Sequence, residues 1–191
     1  FGHESYYIKI LKNNLSKNIK INFFKPNQNY QTITKTRFVD KVSGYKLFGS
    51  YILPEIPDKN FKKKIKKVIE KKSRTTDMFL ICDYGHNFIS EPIIKEIKKT
   101  KKMTSVNAQV NAANIGYHSI NKYNQINSLI INENEIRQEL RDEKSDLSIL
   151  AKRIMIKKNI KNIIITQGKL GAILVNEKFK VFKCPAFAKK I

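Results

Sequence analysis

Asp83 closes an apolar run, Met78-Phe79-Leu80-Ile81-Cys82, and precedes Tyr84, Gly85 and His86. A carboxylate in that place can coordinate a metal, orient a hydroxyl or cap the next helix. Gly85 permits close backbone approach. Asn132 and Glu135 follow a second run, Ser128-Leu129-Ile130-Ile131. At that spacing the two side chains can cap a helix reciprocally, and the same carboxylate beside a phosphate can hold Mg²⁺ directly or through water. Thr166, Gly168 and Gly171 follow a third run, Ile163-Ile164-Ile165. Backbone N–H groups in such a turn can line a nucleotide phosphate. The turn leads into a hairpin pattern, so it is neither a dinucleotide fingerprint nor a Walker loop, both of which need a helix next. Asn107, Gln109, Asn111 and Asn114 crowd amides after another strand. Amides suit neutral hydrogen bonds to hydroxyls, and they also make good turn residues. His3, His86 and His118 have no Cys or His neighbour at metal spacing and are assigned structural or surface roles.

Short apolar strands that each end in polar or glycine-rich residues, with helices between them, put ligand groups at the carboxyl edge of one parallel sheet. That layout points to an enzyme domain that handles phosphate. A helix is expected over residues 3–17, a strand over 19–24 and a loop over 26–29. Segments 32–39 and 46–52 read as an antiparallel pair. Thr32, Thr34, Thr36 and Phe38 fall on one face of it; Ile33, Lys35, Arg37 and Val39 fall on the other. A pair of this kind suits a small lid beside the main sheet. Pro54 and Pro57 mark a connection. Then come helix 60–73, strand 78–83, helix 90–100, strand 103–108, a short helix 119–124, strand 128–131, helices 133–140 and 146–158, strand 161–166 and a hairpin over 171–184. One α/β domain over residues 1–191, with 32–52 as its lid, is the expected organisation.

The chain has 191 residues, enough for one domain with a real core, and its 41% hydrophobic content suits a folded protein. No apolar stretch is long enough to cross a membrane. Phe1-Gly2-His3-Glu4 shows neither an initiator Met nor a signal-peptide pattern, which suggests processing or a boundary upstream. Cys82 and Cys184 form no metal-spacing pattern, and a reducing cytoplasm is the simplest reading. The net charge of +22 raises a nucleic-acid hypothesis. Against it, the basic residues are mostly Lys, whose codons are A/T-rich, and the arginines are scattered. The densest basic run, Lys62 to Lys72, is interleaved with Phe61, Ile65, Val68 and Ile69, which is the pattern of an amphipathic helix with a solvated face.

In this order the segments resemble the ribokinase or PfkB family of carbohydrate kinases. The likeness is closest to the branch related to heptose-phosphate kinases, often fused to a nucleotidyltransferase domain. Lys35 and Arg37 with Lys46-Leu47-Phe48 resemble its flap, Asp83-Tyr84-Gly85-His86 its strand-end signature, and 107–116 a stretch of its fused relatives. Asn132-x-x-Glu135 resembles its Asn-x-x-Glu element, Thr166-x-Gly168-x-x-Gly171 its nucleotide-side turn, and Pro185-Ala186-Phe187 the lead into its catalytic segment.

The resemblance implies an α/β fold, a ribokinase-like three-layer sandwich with a mostly parallel sheet and a β-ribbon lid, incomplete at both ends. It implies ATP and Mg²⁺ as cofactors and transfer of the γ-phosphoryl to a sugar or sugar-phosphate hydroxyl. Lys35, Arg37, Asp83, Asn107, Gln109 and Asn111 would meet the substrate. Asn132, Thr166, Gly168 and Gly171 would meet the nucleotide, and Glu135 the metal. The family's glycine-rich amino-terminal sugar-binding region is absent from the chain. The Gly-Ala-Gly-Asp segment, with the anion hole and the catalytic Asp, is expected beyond Ile191, so the 191 residues alone are expected to show little kinase activity. The resemblance further implies a homodimer joined through the lid, and the composition adds the expectation of a cytoplasmic protein with no membrane contact and no specific nucleic-acid partner. The alternative is a non-catalytic α/β protein that associates with nucleic acid or binds a sugar or nucleotide.

Overall fold

The computed structural model describes residues 5–24, 32–53, 59–86, 88–109 and 120–187. The chain divides into two compact units, Phe1–Ile65 and Lys66–Ile191. The first unit holds helix α1 (Ser5–Asn14) and an antiparallel ribbon of β1 (Thr34–Val39) and β2 (Lys46–Ile52). Ribbon pairing runs from Thr34 opposite Ile52 to Phe38 opposite Phe48. The Asp40 carboxylate closes the turn by accepting from the Ser43 N–H at 2.6 Å and from the Ser43 hydroxyl. Those bonds hold its carboxyl below the usual range. The apolar run over residues 19–24 forms no strand. Phe24 of this run meets Phe61 edge-on at 6.2 Å.

Helix α2 (Lys59–Ser73) buries Phe61, Ile65 and Ile69, one apolar residue every four, and turns Lys63, Lys64, Lys67, Lys71 and Lys72 to solvent. The basic run is therefore the outer face of an amphipathic helix.

The second unit is an α/β sandwich built on a six-stranded mixed sheet in the order β3-β4-β5-β6-β7-β8. Its parallel part is β3 (Met78–Asp83), β4 (Met103–Ala108), β5 (Ser128–Asn132) and β6 (Asn162–Thr166). Strands β7 (Ala172–Val175) and β8 (Val181–Cys184) close it as the antiparallel hairpin expected there. Between the parallel strands run α3 (Glu91–Lys99), a short 3-10 helix (Ile120–Lys122), α4 (Glu133–Leu140) and α5 (Leu147–Lys158).

Because the parallel strands step in one direction and crossovers are right-handed, the intervening helices collect on one face. Burial follows that rule. Ile81, Val106, Leu129, Ile131, Ile163, Ile165, Ile173 and Val175 alternate onto a buried face, with Ile93, Ile94, Ile97, Ile136, Leu150 and Ile154 of the helices also in the core. Met78, Leu80, Met103 and Phe182 alternate onto the opposite face and are exposed. Ser90 begins α3 with an extended backbone but makes no side-chain cap bond. Pro92 at the second helical position has no N–H to offer, and the Ile93 N–H already bonds the Ser90 carbonyl at 3.0 Å. Among the described residues, no helix is long and apolar enough to cross a membrane.

Candidate functional site

The carboxyl ends of β3 to β6 carry Asp83, Asn107, Asn132 and Thr166. Strand register sets Asn132 opposite Thr166. The Asn132 amide donates to the Thr166 carbonyl at 3.3 Å and reaches its hydroxyl at 3.5 Å. The same side chain caps α4 by accepting from the Asn134 N–H at 2.9 Å. Glu135 reaches back to accept from the Asn132 N–H at 2.8 Å, which completes a capping box. Capping and site-building thus use one set of atoms: Asn132 is fixed from the helix side and presents its amide to the neighbouring strand.

Beside this pair lies a contact that local sequence reading misses. Glu133 accepts from the Gln167 amide at 3.0 Å and from Arg137 at 2.9 and 3.0 Å. The Gln167 bond first, then Arg137, hold its carboxyl below the usual range. The Glu133–Arg137 spacing of four residues was a readable helix pair. Gln167 carried no signal. Its bond ties the start of α4 to the turn after β6.

That turn is a 3-10 helix, Gly168–Leu170. Gly168 has φ +56, and a Cβ there would meet nothing within 4 Å. Gly171 has φ +97, and a Cβ there would lie 2.0 Å from the Cys184 carbonyl oxygen. The two glycines therefore differ in role: Gly168 leaves open space over the turn, whereas Gly171 lets the chain after β8 pass across its Cα.

Asp83 is 2% exposed. Its Oδ1 accepts from the Gly85 N–H at 2.9 Å. Its Oδ2 accepts from the Tyr123 hydroxyl at 2.5 Å and faces the Lys122 ammonium at 2.6 Å. Both carboxylate oxygens are thus held by the protein, which places Asp83 beneath the loop surface. Nothing in the sequence signals Lys122 and Tyr123, which precede β5 far along the chain with no motif around them. Asn107 and Gln109 are exposed at the end of β4, and the Gln109 N–H donates to the Asp83 carbonyl at 2.8 Å.

Lys35 and Arg37 share one face of the ribbon in the other unit, and Lys35 sits 5.0 Å over the Tyr51 ring. Asn111, Asn114, His3 and His118 lie outside the described residues. Among the described residues, no cluster of three His, Cys, Asp or Glu side chains forms a metal cage.

Comparison with solved structures gives the fold. Giardia lamblia ribokinase aligns over 100% of this chain and 59% of its own, with TM-score 0.69 and 13% identity. Escherichia coli phosphofructokinase-2 in complex with potassium aligns over 82% of this chain and 50% of its own, with TM-score 0.61 and 13% identity. Arabidopsis thaliana ribokinase complexed with ribose and ATP aligns over 83% of this chain and 50% of its own, with TM-score 0.54 and 14% identity. The chain thus spans 50–59% of the length of these proteins. Comparison with curated proteins finds no match. The family model for pfkB family carbohydrate kinases matches residues 2–191, and the chain belongs to that family.

Proposed function

We propose that the protein carrying these residues transfers the γ-phosphoryl group of ATP to a hydroxyl of a sugar or sugar phosphate. The observation that carries this reading is the Asn132–Thr166 pair at adjacent strand ends, beside the open glycine turn at Gly168, in a chain of this family. Phosphoryl transfer demands positioned charge and orientation more than covalent chemistry. Thr166, Gly168 and the Asn132 amide are assigned to the nucleotide, with Gly171 holding the turn. Asn107, Gln109 and Asn111 are assigned to acceptor hydroxyls, and Lys35 and Arg37 to an anionic group on the acceptor. Asp83 is assigned to the acceptor side through the loop it anchors.

The donor chemistry present fits Mg²⁺ as part of a nucleotide complex. Mg²⁺ keeps several waters and takes one or two carboxylates alongside phosphate oxygens. Glu135 would supply an oxygen ligand of that kind while its Oε2 accepts from the Asn132 N–H in the capping box. When bound, the ion would neutralise charge on the transferring phosphoryl group. Membership of the heptose-phosphate-kinase branch, a fused nucleotidyltransferase domain and a cytoplasmic location complete the proposal. The test is a screen of the full-length protein with ATP, Mg²⁺ and sugars and sugar phosphates, heptose phosphates included. We expect acceptor-dependent ADP release together with a new phosphate ester in phosphorus NMR. No ester with any acceptor, and no ATP binding by calorimetry, would overturn the reading.

The ribbon supports a second element of the proposal, pairing with another copy of the chain. A two-stranded ribbon cannot bury both its faces alone. Here Phe38 and Phe48 stack at 4.3 Å and both are exposed, as are Val39, Tyr45 and Leu47. Phe48→Asp puts a charge into that patch and is expected to shift a dimer to monomer in sedimentation. A monomeric parent, or an unchanged dimer mass in folded variant, would contradict pairing through the ribbon.

A further inference from the structure

We propose that Lys122 is a positioning residue for the acceptor side of the site: one ammonium binds both Asp83 and Ile89 and sets the place of the Tyr84–Gly85 backbone that an acceptor meets. The inference rests on the phosphotransfer reading above. Lys122 Nζ lies 2.6 Å from Asp83 Oδ2 at the start of the loop. It donates to the Ile89 carbonyl at 2.7 Å at the loop's end. The side chain is 16% exposed, and its ammonium also lies 5.4 Å from the Tyr123 ring centroid. Between the two tethered ends, Gly85 takes φ +71 and donates its N–H to Asp83 Oδ1 at 2.9 Å. Tyr84, beside it, is 56% exposed.

Such a loop at the carboxyl edge of a parallel sheet is where ligands meet an α/β fold. Loops of this kind are mobile unless their ends are held. Here the hold comes from a separate element, the 3-10 helix Ile120–Lys122, so the place of Asp83, Gly85 and Ile89 depends on a residue that need not touch the acceptor. Lys suits the place: three donors on a compact ammonium can serve a carboxylate and a carbonyl at once. The Asp83 carboxylate is the other half of the device. It receives Lys122, Tyr123 and Gly85 together, and through Gly85 it passes the position of the ammonium to the loop backbone. On the nucleotide side, Asn132 and Thr166 stand at the ends of other strands, β5 and β6, and bond each other.

Lys122→Met keeps the apolar stem and removes the charge and the donors. In the 191-residue chain it is expected to speed hydrogen exchange at the Gly85 amide by about tenfold or more, while amides of the β6 core keep their protection. In the full-length protein it is expected to raise KM for the acceptor by about tenfold or more, since small misplacement of an orienting group costs rate and binding steeply. KM for ATP should stay within about twofold. Lys122→Arg, which restores charge and donors, should recover much of the acceptor KM. If Lys122→Met does not fold, Lys122→Gln, which keeps an N–H donor, is read in its place. Unchanged Gly85 exchange overturns the clasp. Faster Gly85 exchange with an unchanged acceptor KM, or an equal rise in both KM values without rescue by Arg, overturns the positioning role. A wild-type protein with no turnover on any acceptor overturns the phosphotransfer reading and the acceptor role with it. An active wild type with an unaffected variant overturns this inference alone.

Discussion

Gly171→Ala is expected to cost a large part of the fold's stability, and Gly168→Ala, in the same turn, only a small part. Both glycines have positive φ, +97 and +56, so alanine is strained at either. The difference lies in what a Cβ would meet. At Gly168 it would meet nothing within 4 Å, and the left-handed conformation alone costs about 1–2 kcal/mol. At Gly171 it would lie 2.0 Å from the Cys184 carbonyl oxygen and 2.7 Å from the Ala186 nitrogen and the Pro185 carbonyl carbon. All three are backbone atoms, so no rotamer change can make room. The chain after β8 must move away, which disturbs the pairing of Ala172 with Cys184. Strain and overpacking together are expected to cost about 3–5 kcal/mol, against a typical domain stability of about 5–15 kcal/mol. Urea denaturation followed by circular dichroism checks this. Equal midpoints for the two variants would show that the close backbone approach at Gly171 is not required.

The parallel strands and their helices were legible because each depends on neighbours in sequence. Ile163-Ile164-Ile165 is a β-branched run bounded by polar residues, and Phe61, Ile65 and Ile69 repeat at the helical period. The capping box was legible for the same reason, since Asn132 and Glu135 are one helical turn apart. Once the strands are parallel and adjacent, the meeting of Asn132 with Thr166 follows from register. Other features depend on distant partners. The residues over 19–24 have a strand's composition, yet nothing local says whether a partner strand exists, and the segment forms none. Ser90 starts α3 without a side-chain cap bond, because Pro92 has no N–H and the Ile93 N–H goes to the Ser90 carbonyl. Asp83 stands out in sequence as a polar strand end, but its partners Lys122 and Tyr123 lie about forty residues further along the chain, with no local pattern to announce them.

These partners make Asp83→Ala the second large effect expected. Burial pushes the Asp83 carboxyl up, but hydrogen bonds from Lys122, Tyr123 and the Gly85 amide together outweigh it and hold the group below its ordinary value. The Tyr123 phenol, buried and facing a carboxylate, is pushed the other way and stays a donor. Truncating Asp83 leaves a largely buried ammonium and a fully buried phenol without their shared acceptor. Breaking a buried pair from one side costs about 3–5 kcal/mol. The pH dependence has a definite sign. Because the folded carboxyl titrates below the unfolded one, its contribution is fully present above the unfolded value, about 3.9. It is lost as pH falls through the folded value. The stability gap between wild type and Asp83→Ala should therefore be widest near neutrality and narrow below about pH 4. Urea denaturation at pH 7 and pH 3 reads both points. A gap that is small at pH 7, or the same at both, would mean that the carboxylate is not held as described. Adding Lys122→Met to Asp83→Ala removes the stranded charge, so the double variant should lose less than the sum of the two single losses. Strict additivity would show that the ammonium and the carboxylate do not depend on each other.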